Sequence, residues 1–355
     1  MAGQDRRTSE QDMVTATVRD VLSSHEPFAL TPDRPWDPAL WAALAGAGLT
    51  GVGLAEEAGG SGGELADAVA VVAALARGAG AVPVAEQLLV AGPAVLAAGL
   101  DLPPVEDPLT LALHGVLAEP AGQGWTFAGT AIDVPWAAVA SAAAVVAQGP
   151  DGPLLAVVPL SSATVQPVAS LAGEPHGSVT LDRVTVAQAA PMTDAQVALM
   201  RSRFALARAV QLAAAMEQVL AWTVQHAGER EQFGRPLSRF QAIQMELAEM
   251  AGEVTAVTAL VDAAVQVLAC SADVELAAAA AKVRAGSAVE VVARLAHQVH
   301  GAIGFTQEHR LHHLTRRCWS WRDEAGSELA WSHSLGAALV ASGPDGLWPA
   351  LTRVV

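Results

Sequence analysis

"EREQFGRPLSRFQAIQMELAEM", residues 229–250, interrupts a chain built largely from alanine, valine and leucine. Gly234 and Pro236 mark a turn. The helical pattern ahead of it, about 195–227, stops near Gly228. Beyond it Phe240, Ile243, Leu247 and Met250 recur at helical spacing, which predicts a second helix with one buried face. Ser238, with Gln241 three residues on, reads as the capping box of that helix. The stretch is therefore a polar turn between two long helices of a bundle. Exposure alone makes such a turn polar. An arginine, an amide and an aromatic ring on one tight turn also suit a nucleotide cofactor: guanidinium to pyrophosphate, amide to a hydroxyl or base, ring against an aromatic plane.

Working outward, a further helix ends at "HQVHGAIGF" (297–305), where Gly301 and Gly304 allow backbone that other residues disfavour. Upstream the texture changes. "LTLALHGVL", "GWTFAG", "AAAVVAQG", "LLAVVPL" and "GSVTLDRVTV" are short, β-prone and bounded by Gly, Pro and Asp, which predicts a small β domain. Ahead of it, "DPALWAALAGAGL" sets Leu40, Ala43, Leu44 and Ala47 on one face, and "GGELADAVAVVAALARGAG" forms a second helix closed by glycine. The expected fold is mainly α with a small β domain: helices over 1–107, a β-barrel-like domain over 108–192, and a four-helix bundle over 193–355.

Composition narrows the function classes. The chain has 355 residues, 52% hydrophobic but only 4% aromatic, so its core is built from small aliphatic side chains. A net charge of −16 lacks the basic footprint that nucleic-acid binding requires, which excludes a nucleic-acid partner. Cys270 and Cys318 have no paired-ligand spacing, and a reducing, cytoplasmic setting fits them. The start "MAGQDRRTSEQDM" lacks an apolar core, and residues 66–100 are broken by Arg77, Pro83, Glu86 and Pro93, so neither a signal peptide nor a membrane span is expected.

Several patterns carry little. "GGSGG" (59–63) matches a nucleophile elbow without the strand or triad that the elbow needs, and reads as a turn. "GVGLAE" (51–56) lacks the third glycine of a dinucleotide loop. His309, His312 and His313 share a helical face without a complementary carboxylate or cysteine, so no metal is assigned. Arg310, Arg316, Arg317 and Arg322 form a local basic concentration, read as a solvated face paired with Asp323 and Glu324, or else as an anion-binding or subunit-contact surface.

Three stretches in this order resemble the acyl-CoA dehydrogenase family. "REQFGRPLSRFQAIQMELAEM" (230–250) looks like its R-x-Q-F-G-x-P-(I/L)-x-x-F-Q signature, "QVHGAIGFTQEHRLHHLTRR" (298–317) is similar to Q-x-x-G-(G/A)-x-G-(F/Y)-x-x-E, and "LWAALAGAGLTGVGLAEEAGGSGGE" (40–64) is similar to the N-terminal P-E-x-x-G-G-x-G region. The resemblance implies an FAD flavoprotein that oxidises an acyl-CoA thioester to the 2,3-enoyl-CoA and passes electrons to an acceptor protein. A carboxylate takes the α proton while the β hydrogen leaves as hydride to the flavin. In the family each flavin lies between subunits, so Arg230, Gln232, Phe233, Gln298 and Gly301 are the contacts implied for a neighbour's FAD.

Elsewhere the chain departs from the family pattern. "AEPAGQGW" (118–125) keeps Glu119 and Pro120 but has Ala118 for the threonine and no Ser-Asp pair, and Val134-Pro135-Trp136 replaces the next flavin contact. The family's glutamate-glycine-Thr/Ser triplet is matched by Ala325-Gly326-Ser327, and its alternative base position, about 26 residues before Arg230, by Phe204. Glu324 lies one residue before Ala325, aimed roughly 100° away on a helix. This pattern is similar to the short, base-lacking subunit of actinobacterial heteromeric acyl-CoA dehydrogenases, some of which act on CoA thioesters of steroid side chains. A longer catalytic partner in a heterotetramer is implied. The alternatives are a self-sufficient homo-oligomer using Glu324 as a displaced base, and a flavin-free acyl-CoA-binding or assembly protein.

Overall fold

The computed structural model describes residues 2–25, 36–270 and 274–346. The chain divides into two compact units, Met1–Val72 with Gly80–Ala207, and Ala73–Ala79 with Arg208–Val355.

The first unit opens with helices α1 (Ala2–Ser23), α2 (Pro38–Gly46) and α3 (Leu65–Arg77), the last continuing into the second unit. Asp37 caps α2, its Oδ1 accepting from Leu40 N at 2.9 Å, and Pro38 supplies a pre-set first turn. Leu40 and Leu44 are buried, as their spacing predicts. Residues 84–97 form one helical run, α4 (Val84–Glu86) and α5 (Gly92–Ala97) joined by a π-helical turn. Buried Gln87 in that turn donates to Thr50 O and Val105 O and accepts from Leu109 N, so it fastens the helices to the first strand.

The sheet comprises β1 (Leu109–Ala112), β2 (Val116–Ala121), β3 (Gly124–Pro135), β4 (Ala142–Gly149), β5 (Gly152–Pro159), β6 (Thr164–Ala169), β7 (Pro175–Val186) and β8 (Ala190–Pro191). They are ordered β6-β7-β3-β2-β4-β5-β8, and β1 runs parallel beside β4. Phe127, Val145, Val158, Val179 and Leu181 point into one core, because alternate strand residues share a face. Sequence reading missed β6, whose Pro167 cannot donate to a ladder; as an edge strand it does not need every donor.

In the second unit, α6 (Asp194–Glu229), which begins in the first, is followed by α7 (Gln241–Cys270), α8 (Glu275–His300), α9 (Leu311–Asp323) and α10 (Glu328–Ala341). α8 is the centre: α7, α9 and α10 all pack on it. Its run of buried alanines lets those helices approach closely, which is how so small an aromatic content still fills the bundle. The expected architecture of helices, β domain and helix bundle is the one observed.

By length and composition α6 and α7 are each able to cross a membrane, although the apolar core helix of a soluble protein meets the same description. α6 buries most of its apolar window within the fold, whereas α7 fully buries only a minor share of its own.

Candidate functional site

The turn at 229–241 is built as a miniature hairpin. Arg230 N donates to His226 O at 2.9 Å, and Leu237 N donates to Arg230 O at 2.8 Å. Between them β9 (Glu231–Gln232) and β10 (Arg235–Pro236) pair antiparallel. Phe233 and Gly234 are left as a two-residue loop with φ of 51° and 77°. Positive φ at both positions is type I′ geometry, which favours Asn, Asp or Gly; a phenylalanine there is strained. The ring is nevertheless 92% exposed, touching Phe240 only edge-on at 6.3 Å. Strain accepted to hold an aromatic ring in solvent is a mark of a binding residue rather than a packing one.

The capping box expected at Ser238 does not form. A 3-10 turn over Leu237–Arg239 delays the start of α7 to Gln241, and Ser238 contributes its carbonyl to Gln244 Nε2 at 2.9 Å. Of the predicted apolar face, Met250 is fully buried and Phe240, Ile243 and Leu247 are half-buried.

The second signature ends α8. Gly301 has φ 64° and ψ −147°, a conformation open essentially to glycine alone, and a 3-10 turn Gly301–Phe305 follows. Gly304 is required for a different reason: a Cβ there would lie 2.9 Å from His300 Cβ. Gln298, Gly301 and Phe305 are exposed, and the Phe305 ring stacks on His297 at 4.5 Å.

The two signatures meet. His226, four residues before Arg230, stacks its ring on His300 at 4.4 Å and 23°, next to Gly301. Arg230 is close enough to His226 to help lower its pKa, after burial, which is the larger cause. All five implied cofactor residues, Arg230, Gln232, Phe233, Gln298 and Gly301, are exposed at this end of the bundle. The side chains of Arg230, Gln232 and Gln298 have no hydrogen-bond partner among the described residues. A free guanidinium, two free amides and a presented ring fit an anionic pyrophosphate and a flat heterocycle.

The base positions have a different character. Phe204 is a buried residue of α6. Ala325 stands in the left-handed region at φ 57°, its carbonyl accepting from Trp331 Nε1 at 2.7 Å. Gly326 cannot be larger, since a Cβ would come within 2.7 Å of the same Trp331 nitrogen. Glu324 turns inward: Arg208 donates to its Oε2 through Nε and a terminal nitrogen, both at 2.8 Å, and Ser320 Oγ donates to Oε1 at 3.0 Å. Both carboxylate oxygens are engaged, and withdrawing them would strand a buried arginine. Beneath the same segment, fully buried Lys282 donates to Arg322 O at 2.5 Å and Gly326 O at 3.0 Å. Burial, partly offset by Glu324, holds its ammonium down to about 8. Sequence reading missed this lock, although Lys282 is the chain's only lysine and sits in an alanine run, a signal for a buried cation.

In the first unit "AEPAGQGW" is a tight hairpin, β2 turning into β3 at Gly122, with Glu119 paired to Thr126. Trp136, at the next flavin-contact position, is buried with φ 57°, and Thr110 Oγ1 donates to Pro135 O at 2.5 Å. Ala118, Val134, Pro135 and Trp136 are buried in packing, whereas Glu119 and Pro120 are exposed. Ser61 donates to Gly48 O at 2.6 Å within a glycine turn, a turn-stabilising contact. His309 Nδ1 accepts from Leu311 N, and no group of three or more histidine, cysteine or carboxylate residues among the described ones is placed to hold a metal ion. The basic stretch is not one face. Arg310 lies over Trp222 at 4.5 Å, Arg317 is buried against His313 O, and Arg322 pairs with Glu328 at 3.2 Å. The expected pairing with Asp323 and Glu324 gives way because Arg208 claims Glu324 and α10 delivers Glu328 to Arg322.

Helices around a β domain and a bundle with both signatures at one end define a class, and the comparisons agree on it. Residues 8–101 match the acyl-CoA dehydrogenase N-terminal domain model, and residues 192–328 match the C-terminal domain model. The chain belongs to the acyl-CoA dehydrogenase family. It is 30% identical over 315 residues to acyl-CoA dehydrogenase IpdE2 of Mycobacterium tuberculosis, covering 87% of this chain and 90% of that one. Among solved structures, a variant of the Tcur3481–Tcur3483 steroid ACAD is similar at TM-score 0.86 and 28% identity, covering 95% of this chain and 99% of that one. The ChsE4–ChsE5 complex from Mycobacterium tuberculosis shares the fold at TM-score 0.84 and 24% identity, covering 94% and 97%. Members of the family are FAD-binding flavoproteins.

Proposed function

We propose that this chain is a partner subunit in the α,β-desaturation of an acyl-CoA thioester, completing the FAD site of a longer, catalytic acyl-CoA dehydrogenase chain. The observation that carries this is the contrast between a presented, strained Phe233 beside free Arg230 and a Glu324 whose two oxygens are both spent on Arg208 and Ser320. Bound FAD supplies the acceptor for the β hydride. Toward it, Arg230 neutralises pyrophosphate charge, Gln232 and Gln298 hydrogen-bond, and Phe233 covers a flat ring. The α proton falls to the partner's carboxylate, because Ala325 and Phe204 offer none. The two-chain composition of the Tcur3481–Tcur3483 steroid ACAD supports a heteromer, and its steroid designation supports a steroid-linked acyl chain.

The self-sufficient reading requires Glu324 to leave its ion pair, and the flavin-free reading leaves the strain at Phe233 without a cause. Purification of the chain alone tests all three. The proposal expects colourless, inactive protein that gains flavin and dye-reducing activity on co-expression with a full-length family member. Yellow protein that reduces a dye with acyl-CoA by itself would overturn it.

A further inference from the structure

We propose that the ring stack of His226, His300 and His309 is an acid-sensitive latch that holds the Gly301–Phe305 turn closed. Three elements converge there. His226 comes from the last turn of α6, His300 from the end of α8, and His309 from the segment leading into α9. His300 is sandwiched: His226 stacks on it at 4.4 Å, and His309 meets it edge-on at 4.9 Å. Neighbouring His297 holds Phe305 by stacking and reaches Thr315 Oγ1 at 3.1 Å, so the turn is gripped by imidazole rings along its length.

The arrangement requires neutral rings. His300 Nδ1 contacts the Ala296 carbonyl at 2.7 Å and so carries the proton; its Nε2 is buried with no partner. A second proton would place a buried N–H where nothing accepts it and set a cation against a ring at 4.4 Å. His309 accepts a backbone N–H at Nδ1, and protonation there breaks that bond.

The surroundings offer almost no counter-charge. At the end of α6 stand Glu229 and, just beyond it, Arg230; the 305–310 segment brings Arg310, and α8 and α9 bring His297 and His312. Among these, Glu229 favours the charged form of His226. Burial first, then these neighbours, lowers His226 and His309, and His300 is pushed down to about 4. The unfolded chain takes up these protons first as pH falls below about 6.5, so the latch is fully engaged above that value and is lost toward about 4. Its opening would release Phe305 and Gly301, and on the reading above that loosens the grip on a neighbour's FAD; this consequence alone rests on that reading.

Hydrogen exchange by mass spectrometry on the full-length chain tests the latch without flavin, so its failure is separable from failure of the cofactor assignment. After correction for the intrinsic pH dependence of exchange, peptides spanning 298–310 should lose about tenfold protection between roughly pH 7.5 and pH 5, while those of the β domain do not change. His226→Phe and His300→Phe keep a stacked ring but cannot titrate, and each should weaken the acid response. Should either variant misfold, ring titration of labelled histidines in the wild-type chain decides. Depressed titration of three coupled rings supports the latch. Protection independent of pH, an unchanged acid response in the folded variants, or ordinary histidine titration would overturn it.

Discussion

Two segments of the second unit, residues 229–241 and residues 322–331, treat their polar groups in opposite ways. The first presents its chemistry. Phe233 is strained and in solvent, and Arg230 and Gln232 reach out with no internal partner among the described residues. The second has turned its chemistry inward. Glu324 is bound by Arg208 and Ser320, the Ala325 carbonyl by Trp331, and the Gly326 carbonyl by Lys282. Polar groups satisfied within the fold contribute to stability, whereas polar groups left open cost nothing only when a ligand or water meets them. One segment leaves its polar groups open, and the other uses them to hold the bundle together.

That contrast predicts different responses to mutation. The largest effect belongs to the inward segment. Glu324→Ala leaves Arg208 buried without its counter-ion and should lower the unfolding free energy by about 3 kcal/mol in denaturant titration. Arg208→Met added to it should recover a substantial part, since an apolar replacement of a buried pair is often nearly neutral. Next comes Arg230→Gln on the open segment. It should weaken FAD binding to the assembled complex by about 2 kcal/mol, the scale of a charge-assisted hydrogen bond, while the thermal midpoint of the isolated chain stays within experimental error. If Arg230→Gln proved as destabilising as Glu324→Ala, the contrast would collapse. Trp331→Phe removes one internal hydrogen bond to Ala325 O and should cost about 1 kcal/mol of stability. Smallest and opposite in sign, Phe233→Gly relieves a left-handed phenylalanine and should stabilise the chain by about 0.5 kcal/mol while weakening flavin binding. A loss of stability there would show that the ring packs rather than binds.

The same contrast explains what was legible in the sequence. The open segment reads well because its motif is local: a two-residue hairpin, a glycine at a positive φ and exposed polar side chains all lie within a dozen residues. The helix, β and helix order was also legible, since small aliphatic residues repeat at helical spacing and the strands are bounded by Gly and Pro. The inward lock was not. Arg208, Lys282, Glu324 and Trp331 come from α6, α8, the α9–α10 link and α10, and only the packing of the bundle brings them together. The capping box at Ser238 failed for a related reason: an intervening 3-10 turn, set by where the hairpin closes, moved the helix start. The pairing of Arg208 with Glu324 likewise redirected the basic stretch that follows Arg310.

The measurement that bears most directly on the central claim is the flavin content and dye-reducing activity of a complex in which only this chain carries Arg230→Gln. The complex should contain an unaltered full-length partner bearing the family's glutamate. If this chain completes its partner's cofactor site, the assembled complex loses bound FAD and acyl-CoA oxidation together, although no residue of the catalytic chain has changed. Full flavin occupancy and undiminished activity in that complex would contradict the account.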